Sequence, residues 1–148
     1  MRRFGAIHAR FWDWAFENGL NETTIIVAAY LLTCKHSNST GCFHCPPAYA
    51  SADLGYSIDR VSKAYRNLTD SQFLRYCSKS KTVFLPKYLS WNPIQNAKHA
   101  KGVFNILLEL PSSFSLLDNL FESLDKYCTG VDKKGTPFVS EKDMDTLR

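Results

Sequence analysis

The sequence predicts a mainly helical fold with a small β-hairpin: a winged helix-turn-helix followed by additional C-terminal helices. Three observations predict it. From Pro46 to Trp91 the chain reads as a short helix, a turn at Gly55, a second helix starting after Ser57, and two short strands around Lys79. The apolar residues of the second helix recur at helical spacing and leave Arg60, Lys63 and Arg66 on the other side. Positive charge is also concentrated on this segment. Between Gly55 and Lys101 nine Lys or Arg stand against two acids, a local charge of +7 in a chain of net +4. A surface that faces phosphates requires such a distribution.

RFWDWAFEN, residues 10–18, ends at Gly19 and predicts a short helix that caps the core with its aromatic residues. NETTIIVAAYLLTC has β-branched residues that suit a strand. Its length of about 13 apolar-rich residues, with Asn21 as N-cap and Glu22 in the first turn, predicts instead a central buried helix, apolar nearly all round. A loop, KHSNSTG, leads to CFHCPP, and Pro46 or Pro47 suits the first turn of a helix with Tyr49, Ala50 and Leu54 inward. Ser57 is the expected cap of the next helix, whose buried stripe is Ile58, Val61, Ala64, Tyr65 and Leu68. FLRYC and TVFLP flank Ser78, Lys79 and Ser80 and predict a two-stranded wing with a basic tip. Tyr88, Leu89 and Trp91 are expected to pack in the core. AKHAKGVFNILLEL carries Ala100, Val103, Phe104, Leu107 and Leu108 on one helical stripe, and a further helix is expected from Ser113 to Tyr127. Residues 1–127 thus read as one domain and 128–148 as a flexible tail.

On this frame the expected DNA-binding residues are Ser57, Arg60, Lys63, Arg66, Asn67, Lys79 and Lys81. Arg60 and Lys63, early in the second helix, together with Asn67, are placed to approach base edges. Arg66, Lys79 and Lys81 suit phosphates. Cys34, His36, Cys42, His44 and Cys45 fall within twelve residues and include ligand types for zinc. With a single CxxC, and with Pro46 and Pro47 restricting the backbone directly after it, no metal is expected. No activated nucleophile, paired carboxylates or Gly-rich phosphate loop is present, so neither an enzyme nor a cofactor is expected. Five cysteines form no regular framework, and no apolar run approaches the roughly 18 residues that span a bilayer. These features suit a soluble protein of a reducing cytoplasm, with no membrane partner.

The run YLLTCKHSNSTGCFHCPPAYASADLGYSIDRVSKAYRNL, with FLPKYLSWNPIQNAKHAKG and later LELP, resembles the N-terminal winged-helix region of phage and prophage replisome organisers of the DnaD-like type. The resemblance spans about residues 10–127 and is collective, since no single motif is a catalytic signature. It implies a DNA-binding replication protein in a bacterial host's cytoplasm, with double-stranded DNA and a helicase or helicase loader as partners; apart from the resemblance, the sequence leaves a homo-oligomer open. It places the functional helix at Ser57–Leu68 and the wing at Leu74–Leu85. Two alternatives remain: a dimeric winged-helix transcriptional regulator, and a protein-interaction winged helix that does not bind DNA.

Overall fold

The computed structural model describes residues 2–109, which form six helices and a small antiparallel sheet. The expected helix from Ser113 to Tyr127 and the tail at 128–148 lie outside the described residues. No helix among the described residues is long and apolar enough to cross a membrane.

Helix α1 (Arg10–Glu17) buries Phe11 and Ala15 and ends at Gly19, whose φ of 61° lies in the left-handed region. Its aromatic face joins an aromatic cluster with residues far along the chain. The rings of Trp14 and Phe73 stack at 4.8 Å, and Trp91 meets Phe11 edge-on at 6.1 Å. Such pairs add to the area that they bury.

Helix α2 (Glu22–Thr33) starts where the sequence places it, because the Asn21 side chain accepts the Thr24 N–H at 2.9 Å. Replacing Asn21 by Ala leaves that donor without its cap and should cost about 1 kcal/mol, read as a lower thermal midpoint. The helix buries Thr24, Val27, Ala28, Leu31 and Leu32, with Ala28 and Leu31 fully enclosed. It is not buried all round, since Ile26 remains 41% exposed. An isolated surface isoleucine is tolerated because a folded protein has too few polar atoms to cover its surface.

The sheet has three strands rather than the two expected. β1 (Cys42–His44), β2 (Arg75–Cys77) and β3 (Thr82–Phe84) lie in the order β1-β3-β2, so β3 is central and pairs on both sides. Cys42 faces Phe84 on one side, and Arg75 faces it on the other. A central strand buried along its whole length needs a partner for each row of backbone groups, and β1 supplies the second row.

Helix α3 (Pro47–Leu54) has Pro47 in its first turn, where the missing N–H costs nothing, and stops at Gly55, φ 72°. Helix α4 (Ile58–Asp70) is capped by Ser57, whose hydroxyl accepts the Arg60 N–H at 3.2 Å. Val61, Ala64, Tyr65 and Leu68 are buried as the spacing requires, but Ile58 at the helix start is 48% exposed. First-turn residues lie at the edge of the packed interface, so helical phase alone does not bury them. A single turn, α5 (Tyr88–Trp91), buries Tyr88 and Leu89, in keeping with the core role expected of them. Helix α6 (Ala97–Leu108), capped by Asn96 on the His99 N–H at 2.8 Å, buries Ala100, Val103, Phe104 and Leu107. Leu108, assigned to the same stripe, is 58% exposed.

Candidate nucleic-acid interface

Helix α4 leaves Asp59, Arg60, Lys63 and Arg66 exposed and Asn67 half-buried. It comes after α3 and the Gly55 turn, and packing of Val61, Ala64 and Leu68 into the core fixes its orientation. The cations are on the solvent side because the apolar stripe occupies the other.

Arg60 is held in place before any ligand arrives. Its Nε donates to Thr23 Oγ1 at 2.9 Å, and its guanidinium carbon lies 3.9 Å from the centre of the Tyr56 ring. One donor and one face of the fork are thereby used within the protein, which orients the two terminal nitrogens. A planar guanidinium held this way loses little freedom when it engages a bidentate acceptor. Asn67 is engaged as well, its Nδ2 donating to the buried Thr24 Oγ1 at 3.2 Å. Its amide nitrogen therefore ties α4 to α2, whatever its oxygen contacts. Ser57 acts locally as the helix cap.

Arg60, Lys63 and Asn67 share an open groove of about 410 Å³ with Asn21, Glu22, Thr23, Thr24 and Ala64, at the place where the start of α2 meets α4. Arg66 is exposed on the same helix. Lys79 and Lys81 are exposed on the β2–β3 turn, outside that groove. Lys81 has a φ of 53°, and its carbonyl accepts the Cys45 N–H at 3.0 Å, so the β2–β3 turn is tied to the segment that leads into α3. Ion pairs among the described residues are those of Asp53 with Lys35 and with His36, both at 3.6 Å. None of Arg60, Lys63, Arg66, Lys79 and Lys81 forms an ion pair there, although Glu22 lines the same groove as Arg60 and Lys63.

Of the residue types that suggested zinc, His36, Cys42 and His44 line one open groove with Tyr49. His36 lies against the Tyr49 ring at 4.5 Å and near Asp53, while exposed His44 meets another side of Tyr49 at 5.4 Å. Cys42 is enclosed, and burial pushes its thiol up to about 12. Among the described residues no three His, Cys, Asp or Glu side chains are gathered to hold a metal. Asp53 instead joins α2 to α3. It accepts the Tyr30 hydroxyl at 2.7 Å, and this bond, with Lys35 and His36 nearby, holds its carboxyl below the usual range.

Sequence reasoning did not reach Tyr56 and Thr23, the two side chains that position Arg60. Tyr56 precedes Arg60 by four residues, a spacing that could have signalled the stack. Thr23 comes from a separate helix, and no local signal links it to Arg60. Comparison with known proteins finds no family model, no curated protein and no solved structure that matches this chain.

Proposed function

We propose that this protein binds duplex DNA as a winged helix-turn-helix, with α3, the Gly55 turn and α4 as the helix-turn-helix and β2–β3 as the wing. The observation that carries this reading is the set of exposed cations on α4 and the wing turn, none of which forms an ion pair among the described residues. Phosphate contacts supply most of the affinity, through Arg66, Lys79 and Lys81, while Lys63 adds its charge beside Arg60 early in α4, where it approaches base edges. Arg60, with its terminal nitrogens oriented by Thr23 and Tyr56, supplies the bidentate contact, to guanine or to phosphate. In line with the resemblance drawn from YLLT, DLG and WNPI, the binding serves the start of phage or prophage DNA replication, where the protein recruits a helicase or its loader.

The test is a titration of duplex DNA at several salt concentrations. If about five to seven phosphates are neutralised, log K against log salt falls with a slope of about −5 to −6. No detectable binding at about 50 mM salt, or binding that salt does not alter, would overturn the proposal. A protein that bound a helicase under those conditions but no DNA would belong to the interaction-module reading instead.

A further inference from the structure

The open groove that His36 and His44 line with Tyr49, of about 420 Å³, has no part in duplex binding. Its rings come from three places in the chain: His36 from the turn after α2, His44 from β1 and Tyr49 from α3. The Tyr49 ring lies 4.5 Å from that of His36 at 35° and 5.4 Å from that of His44 at 69°. Tyr49 and His44 therefore meet as a corner. A flat ring laid on one wall turns its edge to the other, and these are the two arrangements that aromatic pairs prefer.

The corner is built before any ligand arrives. His44 faces Thr82 in the β1–β3 register, Tyr49 stands in the first turn of α3, and His36 Nε2 lies 3.6 Å from Asp53 Oδ2. Rings held in this way lose little freedom on binding. His44 is exposed and Tyr49 is half-buried, so both walls reach solvent. Among the described residues neither the His44 imidazole nor the Tyr49 hydroxyl makes a hydrogen bond, which leaves their polar ends to a ligand.

Charge narrows the class of ligand. No Lys or Arg is among the described residues that line the groove, and Glu109, just after α6, adds a carboxylate to it. Such a lining repels a phosphate but suits a neutral planar ring, whose exocyclic amine a carboxylate can accept. Cations stand just outside. Thr82 faces His44, and the Lys81 carbonyl accepts the Cys45 N–H at 3.0 Å, so the β2–β3 turn with its exposed Lys79 and Lys81 adjoins the His44 wall. Rings within and cations at the rim are the two parts that hold a single strand, whose bases stack while its backbone follows the positive charge. A base inside a duplex is excluded, because its neighbours already cover both of its faces.

We propose that this groove binds an unpaired nucleobase of a single-stranded nucleic acid, stacked in the corner of His44 and Tyr49, with the flanking phosphates on Lys79 and Lys81. The site goes beyond the duplex reading and shares with it only these two lysines.

The experiment titrates the full chain against labelled oligo(dC) of about 12 nucleotides, oligo(rC) of equal length, and an abasic strand that keeps the phosphates and lacks the bases. At about 50 mM salt, oligo(dC) or oligo(rC) should bind, and the tighter of the two identifies the source of the base. The abasic strand should bind about tenfold more weakly or worse. His44→Ala, and Tyr49→Leu, which keeps apolar bulk without a ring, should each weaken binding by about fivefold or more. His44→Phe should restore it, since a ring is again present. Equal affinity for abasic and intact strands, a loss that His44→Phe does not restore, unchanged binding by both ring-removing variants, or no single-strand binding would each overturn the site. Duplex DNA titrated alongside separates the two readings: single-strand binding without duplex binding supports the groove and removes the α4 interface, and the reverse result removes the groove alone.

Discussion

Gly41→Ala should destabilise the protein by about 3–5 kcal/mol, seen as a large fall in the urea midpoint with little change in slope. Two effects add at this position. Gly41 has a φ of 75°, where an L side chain costs about 1–2 kcal/mol. A Cβ there would also lie 2.5 Å from Tyr88 Cβ and 2.8 Å from its Cγ, too close for real atoms, so one of the two must move. Tyr88 has little room to do so. It is 2% exposed, its hydroxyl accepts from Arg2 at 2.9 Å, and its backbone belongs to α5, the element directly after β3. Moving Gly41 instead would disturb its carbonyl, which accepts the Leu85 N–H at 2.8 Å beside the β1–β3 pairing. Gly55→Ala is the control. Its φ of 72° is similar, but a Cβ there meets nothing within 4 Å, so only the backbone cost of about 1–2 kcal/mol applies. Equal losses at the two glycines would show that the Tyr88 contact is relieved cheaply.

Reversing two charges on α4, Lys63→Glu with Arg66→Glu, should weaken duplex binding by about a hundredfold or more at about 100 mM salt and flatten the salt slope by about 2. Both side chains are exposed and neither forms an ion pair among the described residues, so folding should be almost unaffected. The comparison protein carries Arg3→Glu and Arg10→Glu, an identical change in net charge placed ahead of α1 and at its first residue. If both double variants lost affinity equally, net charge rather than the α4 surface would govern binding, and the interface would have to be abandoned. Fluorescence anisotropy with a labelled duplex, at no fewer than four salt concentrations, separates the two outcomes.

Most helices were legible because their signals are local. Asn21, Ser57 and the proline pair mark starts, Gly19 and Gly55 mark stops, and the α4 stripe from Val61 to Leu68 needs only helical phase. β1 was not legible. Cys42, Phe43 and His44 are too few to show alternation, and they become a strand because β3 presents an unpaired edge to them. Ile58 and Leu108 illustrate a related limit, since phase assigns a residue to a face but not the distance over which a neighbour covers that face. At the site, composition and charge located the cations, while the fixing of Arg60 needed Thr23 from another helix.

By itself the sequence determined where α1 to α4 and α6 lie, which side of α4 is buried, and that positive charge collects between Gly55 and Lys101. These depend on caps, breakers and periodicity, each acting within a few residues. Only the tertiary structure decided that the sheet has a third strand, that Arg60 is clamped between Thr23 and Tyr56, and that the Tyr65 hydroxyl donates to the Cys45 carbonyl. In each of these, groups from separate elements satisfy one another, and such pairing exists only once the hydrophobic core has brought those elements together.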